Sequence, residues 1–319
     1  MERHAPIFVS GGETLIGSAL LRQLRSQGYT NLVGAPPGDP NLYSAAAVDD
    51  FFRRERPRTV IVASGKSGGI HANQSFPADL MLDNLLSQCH VIDAAHRYRV
   101  SKLLYLASSC SYPKHCPQPM RVDALMSGRL EPTNEAYAMA KLAGITLCQA
   151  YARQHGDNFL AAIPANAFGI EDDFSAEGGH VIPALIAKIH RAKVESHPEV
   201  QIWGTGTPRR EFIFADDLAD ACLFVLAEYT DAQTPINLGS GVDLSIRETA
   251  ERICEVVGYR GELVFDASKP DGMPLKSLDS APLKAMGWQA RTSLFVALNK
   301  TYDAYLKREA SLQREPIHV

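Results

Sequence analysis

The fold is decided by a short stretch near the N-terminus, Ala5-Pro-Ile-Phe-Val-Ser10-Gly-Gly-Glu-Thr-Leu-Ile-Gly17. Residues 5–10 form an apolar run of strand length, and an amphipathic helical pattern over residues 15–27 follows the glycine turn. A strand that enters a helix through such a turn directs backbone N–H groups at the positive helix N-terminus, where a pyrophosphate can bind. The spacing is imperfect, because Thr14 stands where a middle glycine is usual. We predict a dinucleotide-binding turn made by Gly11, Thr14, Leu15, Ile16 and Gly17.

Outward from this stretch, strand-like and helix-like segments alternate along the chain. The predicted strands are residues 31–33, 59–63, 102–107 and 159–163, and the predicted helices are residues 49–56, 78–98 and 134–155. Strands separated by helices of this length imply right-handed crossovers, so we predict an α/β fold with a doubly wound parallel Rossmann sheet.

The alternation breaks after about Gly169, where polar, glycine-containing loops begin. Such loops on a rigid scaffold commonly carry specificity. We therefore predict a dinucleotide-binding domain over residues 1–169, with a return to the sheet near residues 213–238. A smaller C-terminal substrate-binding lobe would comprise residues 170–212 and 239–319.

Composition narrows the class of protein. The 319 residues carry a net charge of −4, with 45% hydrophobic and 21% charged residues, as in soluble globular proteins. This small net charge predicts no strong electrostatic attraction to nucleic acid or to a membrane surface. No apolar run approaches the ~20 residues of a membrane span. The N-terminus lacks a signal-peptide pattern, so a cytoplasmic protein is expected. The six cysteines show no CxxC spacing, which predicts neither a metal site nor a disulfide framework.

A phenol, an ammonium and a hydroxyl form the candidate catalytic group. Tyr137 and Lys141 lie at positions i and i+4 of a predicted helix, and Ser108 follows a predicted strand. The ammonium could lower the pKa of the phenol, which would then exchange a proton with a carbonyl oxygen as hydride is transferred. Tyr98 and Lys102 have the same spacing, but they straddle a helix end and a strand start, so we interpret that pair as structural.

Several longer blocks resemble one known family. They are Ser108-Ser-Cys-Ser-Tyr-Pro-Lys114, Glu131-Pro-Thr-Asn-Glu-Ala-Tyr-Ala-Met-Ala-Lys141, His180-Val-Ile-Pro-Ala184, Trp203-Gly-Thr-Gly-Thr-Pro-Arg-Arg-Glu-Phe212 and Phe265-Asp-Ala-Ser-Lys-Pro-Asp-Gly272. Over nearly the whole chain the sequence is similar to the GDP-L-fucose synthase family of extended short-chain dehydrogenases/reductases. The resemblance implies an oxidoreductase and epimerase that acts on a GDP-linked 4-keto-6-deoxy sugar. C3 and C5 would be epimerised and C4 would then be reduced by NADPH, in a homodimer.

The resemblance also assigns roles to single residues. Ser108, Tyr137 and Lys141 match the family triad, in which Tyr137 and Lys141 also contact the cofactor, and Cys110 and His180 match its acid/base pair. Inverting a carbon beside a ketone needs a base on one face and an acid on the other, and thiol and imidazole both titrate near neutrality. The alternative is that Cys110 is a small buried hydrophobe and His180 a helix cap.

Five further positions match, or lie near, the family's substrate-binding positions: Asn166, Lys188, Trp203, Arg210 and Lys276. Arginine and lysine can bind a diphosphate, and tryptophan can cover an apolar sugar or base face. The alternative for each is a solvated surface group or loop packing.

The cofactor position departs from the family pattern. Glu13 and about Ala35 stand where the family has arginines for the NADP 2′-phosphate, so NADP and NAD both remain open. Two other functions also remain open. One is a related enzyme that acts on a different 4-keto nucleotide sugar or performs a single step, and the other is a non-catalytic dinucleotide-binding sensor.

Overall fold

The computed structural model describes residues 2–175, 179–269 and 271–312. The strands in these ranges are β1 (Ile7–Ser10), β2 (Leu32–Val33), β3 (Thr59–Val62), β4 (Lys102–Leu106), β5 (Phe159–Pro164), β6 (Asn166–Phe168), β7 (Glu199–Trp203), β8 (Arg209–Phe214), β9 (Ile236–Leu238), β10 (Asp243–Ser245), β11 (Glu262–Asp266) and β12 (Leu275–Lys276). The helices are α1 (Leu15–Ser26), α2 (Ala45–Glu55), α3 (Ile70–Ser75), α4 (Pro77–Arg97), α5 (Glu135–His155), α6 (Val181–Val194), α7 (Ala215–Glu228), α8 (Ile246–Val257), α9 (Ala281–Ala285) and α10 (Leu294–Leu312).

A six-stranded parallel sheet forms the centre of the molecule, in the order β2-β1-β3-β4-β5-β9. Helix α1 packs on α7, while α4 packs on both α2 and α5. The chain reverses its direction of sheet growth between β1 and β3, and ligands of such sheets bind at the carboxyl ends of the strands beside this switch point. The predicted doubly wound parallel fold is confirmed, and β9, late in the sequence, pairs with β5 at the edge of the sheet.

Two hydrophobic cores hold the chain together. The first is built around the central sheet and includes Leu278, Leu283 and Trp288 from late in the sequence. The second joins α6, α8 and α10 to the smaller sheets, in which β8 pairs with β6, β10 and β12, and β7 pairs with β11. The domain boundaries given above stay a prediction.

Local capping explains where two elements begin and end. Helix α2 starts at Ala45, before the predicted residue 49, because the Ser44 hydroxyl accepts a hydrogen bond from the Ala47 N–H. Tyr98 caps the C-terminus of α4, and the Lys102 ammonium at the start of β4 donates to the Tyr229 carbonyl at 2.9 Å. That pair is therefore engaged in structural contacts. None of the described helices is long and apolar enough to span a membrane.

Candidate active site

The glycine turn after β1 is closed by its own hydrogen bonds. Thr14 caps α1: its hydroxyl accepts from the Gly17 N–H at 3.1 Å and donates to the Gly11 carbonyl at 2.8 Å. A Cβ on Gly17 would lie 1.9 Å from the Gly11 oxygen, so no larger residue fits there. Thr14 therefore replaces the usual middle glycine without opening the turn, and the α1 N-terminus remains available to a pyrophosphate.

A second glycine position with no room for a side chain follows β3, on the other side of the switch point from β1. Gly65 has a φ of +124°, and a Cβ there would lie 2.2 Å from Asn84 Oδ1 and 3.2 Å from Lys141 Nζ. Asn84 is 1% exposed, and its Oδ1 has no hydrogen-bond partner among the described residues. A crevice therefore lies between Gly65 and the glycine turn after β1, and it offers the buried acceptor of Asn84 and the ammonium of Lys141. These groups fit a nicotinamide dinucleotide.

The edge of this crevice near β2 is not basic. Glu13 is exposed in the glycine turn, and Gly34 and Ala35 follow β2. A Cβ on Gly12 would lie 2.7 Å from Pro36 Cδ, so the loop after β2 packs directly on the turn. A carboxylate here disfavours a 2′-phosphate, and none of these residues supplies the positive charge that commonly binds one.

Helix α5 is fixed against the sheet by a buried aromatic residue. Tyr105 of β4 is fully buried, and its hydroxyl donates to Gln88 Oε1 at 2.6 Å. The Gln88 amide in turn donates to the Ala140 carbonyl of α5 at 2.7 Å. A Cβ on Gly144 would lie 2.3 Å from Tyr105 Cζ, so glycine is what allows α5 to approach β4 this closely. This packing fixes how far Tyr137 and Lys141 lie from the carboxyl ends of the strands.

Burial controls the ionisation of this pair. Lys141 is 6% exposed, and burial lowers the pKa of its ammonium to about 8. Its Nζ lies 3.4 Å from the Leu106 carbonyl oxygen and 5.9 Å from the centroid of the Tyr137 ring. Burial, together with the nearby Cys110, raises the pKa of Tyr137, and a hydrogen bond with Ser108 opposes the rise. The lowered Tyr137 pKa expected from the sequence is wrong for this structure, because burial of the phenol is the largest effect on it. Tyr137 is therefore a neutral phenol at pH 7.

Ser108 and Cys110 share one tight turn after β4. Ser108 caps a single helical turn, Ser109–Ser111, and its hydroxyl oxygen accepts from the Cys110 N–H at 3.2 Å. The Cys110 sulfur accepts from Lys276 Nζ at 3.2 Å and from Asn134 Nδ2 at 3.3 Å. Burial alone would raise the pKa of Cys110, but the cationic Lys276 and the other nearby donors bring the net pKa below its ordinary value.

His180 occupies the N-cap position directly before α6, and its Nε2 lies 3.4 Å from Ser67 Oγ. The side chain is solvent-accessible, yet the protein around it and then the charge of Lys276 lower its pKa. The carboxylate of Asp173 acts in the opposite direction. Lys276 thus influences both members of the predicted acid/base pair.

The remaining predicted substrate residues lie on the smaller sheets and α6. Arg210 on β8 donates to the Met273 carbonyl at 2.6 Å and contributes positive charge at Cys110. Asn166 on β6 donates to the backbone carbonyl of Glu211 at 3.1 Å. Trp203 at the end of β7 is 66% exposed, and Lys188 on α6 is exposed. Arg210 and Lys276 therefore lie near Cys110, whereas the hydrogen bond of Asn166 is made to β8.

Two asparagines in the site were missed by reasoning from the sequence. Asn134 lies three residues before Tyr137 in one of the blocks quoted above, and its position directly before α5 was an available signal. Its Oδ1 is buried with no hydrogen-bond partner among the described residues, although its Nδ2 contacts Cys110. Asn84 lies within α4 among several other polar residues, so the sequence does not single it out.

Known proteins are similar to this chain over nearly its whole length. A model of the NAD dependent epimerase/dehydratase family matches residues 7–239. GDP-L-fucose synthase 1 of Arabidopsis thaliana is 49% identical over 306 residues, covering 96% of this chain and 94% of the plant protein. A solved GDP-6-OMe-4-keto-L-xylo-heptose reductase from C. jejuni has a TM-score of 0.90 and 30% identity, over 97% of this chain and 99% of that one. A GDP-L-fucose synthetase from Naegleria fowleri bound to NADP has a TM-score of 0.88 and 27% identity, over 98% and 95%.

Proposed function

The chain belongs to the NAD dependent epimerase/dehydratase family and, within it, to the GDP-L-fucose synthases, and on that premise we propose its substrate and reaction. It is an NAD(P)-dependent enzyme. Its substrate is a GDP-4-keto-6-deoxyhexose, which it epimerises at C3 and C5 and then reduces at C4. The observation that carries the proposal is the Cys110 sulfur, hydrogen-bonded by Lys276 and Asn134 two residues from Ser108. A plain ketone reductase needs the triad but has no use for an activated thiol beside it.

The residues divide the chemistry between two steps. In the first, the C4 ketone acidifies the C3 and C5 hydrogens, and a base and an acid on opposite faces exchange each proton. Cys110 and His180 take these roles, while Tyr137 and Ser108 hydrogen-bond the ketone oxygen and stabilise the enolate. In the second step the neutral Tyr137 gives its proton to the C4 oxygen. A bound nicotinamide supplies the hydride for this reduction.

Arg210 and Lys276 are proposed to meet the substrate diphosphate, with Asn166, Lys188 and Trp203 as further contacts. For the cofactor, the turn from Gly11 to Gly17 would bind the pyrophosphate, and Tyr137 and Lys141 would lie beside the nicotinamide. The relative bound to NADP supports NADP as the cofactor. Because Glu13 and about Ala35 stand where the family has arginines for the 2′-phosphate, we propose that the preference for NADP over NAD is weak.

A direct assay tests this function. GDP-4-keto-6-deoxymannose is incubated with the enzyme and either NADPH or NADH, and the stereochemistry of the sugar product is read by NMR. A product inverted at C3 and C5 and reduced at C4 is expected. A product reduced at C4 with C3 and C5 unchanged would support a reductase without epimerase activity, in keeping with the reductase name of the C. jejuni relative. No turnover with either cofactor would contradict the proposal.

We further propose a homodimer in which α4 and α5 pack on the same helices of a second copy. Leu82 on α4 is 55% exposed and Met139 on α5 is 45% exposed, and both are large apolar side chains. Light scattering after size exclusion should show a dimer that L82E together with M139E converts to a monomer. L306E, at another exposed apolar position, on α10, should leave the dimer intact. A monomeric wild-type chain would contradict this proposal.

A further inference from the structure

Cys110 differs from every other cysteine of the chain. The other five, Cys89, Cys116, Cys148, Cys222 and Cys254, all have a raised pKa, and burial is the largest cause in each. Cys110 is also surrounded by protein, yet its pKa is lowered. The difference lies in its neighbours, because Lys276 Nζ lies 3.2 Å from its sulfur.

We propose that Lys276 is a positioning residue for Cys110 of the acid/base pair: its ammonium, 3.2 Å from the sulfur, favours the thiolate in the free enzyme. The role of this pair in epimerisation rests on the function proposed above. The charge relation itself concerns the free protein and holds whatever the substrate is.

The placement of Lys276 follows from strand pairing. Lys276 ends β12, which runs parallel to β8 with Lys276 opposite Arg210. Two cationic side chains from adjacent strands are thereby brought to the same thiol, 166 residues away in sequence from Lys276. Arg210 is held by the Met273 carbonyl, whereas the Lys276 ammonium donates its hydrogen bond to the sulfur itself.

Among the charged groups of the described residues around Cys110 and His180, Lys276 is the one that acts on both. Among the described residues, Lys276 and Arg210 are the cations that act on Cys110. Ser108, Asn134 and the phenol of Tyr137 are its other neighbours. His180 is influenced by Lys276 and by Asp173, and it contacts Ser67.

A substitution of Lys276 can act in two ways, by removing a positive charge or by loosening the packing of the site. The two effects predict different changes in the pKa values of Cys110 and His180. Loss of a positive charge raises both pKa values, because the thiolate loses a stabilising partner and the imidazolium loses a repelling one. Loosening would admit water to both groups, which lowers the pKa of a buried thiol and raises that of a crowded imidazole. The direction of the Cys110 change therefore separates an electrostatic role from a merely structural one.

The test measures alkylation of Cys110 by iodoacetamide from pH 5 to 10 in the substrate-free enzyme, with each cysteine quantified by mass spectrometry. Wild-type Cys110 should react at a lower pH than the other five cysteines. K276Q should raise the midpoint by about one pH unit or more, so that the rate at pH 7 falls about tenfold or more. K276R should retain most of the wild-type midpoint, and K284Q, at an exposed lysine on α9, should leave it unchanged.

A second readout follows His180 by NMR, with its ring signals assigned from an H180N variant. K276Q should raise the pKa of His180 as well as that of Cys110. An unchanged Cys110 midpoint in a folded K276Q protein would overturn the proposal and leave Lys276 with diphosphate binding alone. A lowered midpoint would also overturn it, by showing loosening. Since neither readout uses substrate, inactivity toward the GDP sugar would contradict the proposed function and leave this inference standing.

Discussion

Replacing Gly144 with alanine tests how tightly the packing of α5 on β4 controls the site. Alanine in a helix interior is normally more favourable than glycine by about 1 kcal/mol. Here the new Cβ would lie 2.3 Å from Tyr105 Cζ and 2.5 Å from its hydroxyl oxygen, far inside van der Waals contact. Tyr105 is fully buried and hydrogen-bonded to Gln88, so the ring has no free space to enter. The helix and the strand must therefore separate.

The two effects oppose each other, and the clash should win. Overpacking a core typically costs about 1–3 kcal/mol, and a contact this short against a fixed ring belongs at about 3 kcal/mol. Subtracting the propensity gain of about 1 kcal/mol leaves a net loss of about 2 kcal/mol. At this chain length such a loss lowers the melting temperature by about 3 °C. Because α5 carries Tyr137 and Lys141, a shift approaching about 1 Å should also reduce kcat by about tenfold to a hundredfold.

Thermal unfolding by circular dichroism and steady-state turnover measure the two consequences. Thr146→Ala is the matched control, because it changes an exposed residue of the same helix and should alter stability by less than about 1 kcal/mol. If Gly144→Ala were more stable than the wild type and kept normal kcat, the close packing on Tyr105 would not be what positions the catalytic residues.

Three further predictions follow from the same site. Tyr137→Phe should lower kcat for C4 reduction by about 10²–10⁴-fold while leaving NADPH affinity, read by fluorescence, within about threefold; near-normal reduction would refute the proton-donor role. Lys141→Met should abolish reduction and raise the unfolding free energy at pH 7 by about 1–3 kcal/mol, since the folded pKa of about 8 lies below the unfolded value of 10.5. The cost of burying the Lys141 ammonium is full below pH 8 and disappears as the pH rises toward 10.5. Denaturant titrations should therefore show that the gain in unfolding free energy of Lys141→Met over the wild type shrinks between these pH values. A gain that stays constant would mean that Lys141 is not buried as an ammonium. Glu13→Arg should increase the ratio of NADPH to NADH affinity by about tenfold, and an unchanged ratio would show that Glu13 does not face the 2′-phosphate position.

Local patterns in the sequence were enough to predict the framework. The apolar run before Gly11 and the alternation of strands and helices specify the parallel sheet, because each signal is carried by neighbouring residues. The Tyr137–Lys141 spacing is likewise local to one helix. The early start of α2 was also readable, since Ser44 before three alanines is a capping signal.

Contacts between distant segments were not readable in this way. The Lys276–Cys110 contact depends on the register of β12 against β8, which no local pattern specifies. The direction of the Tyr137 pKa was also missed, because i and i+4 spacing gives proximity to Lys141 but not the burial that dominates. The Asn84 acceptor, which has no hydrogen-bond partner among the described residues, lies where α4 passes Gly65. In each case burial and long-range packing, rather than residue type, decide the chemistry.

Hydrogen exchange at the sugar tests the central claim most directly, because it isolates epimerisation from reduction. The enzyme is incubated with GDP-4-keto-6-deoxymannose in heavy water without reductant, and deuterium is located by NMR. The wild type should incorporate deuterium at C3 and C5, Cys110→Ser or His180→Ala should lose at least one exchange, and Tyr137→Phe should slow both. No incorporation at either carbon in the wild type would contradict the assignment of two chemistries to this site.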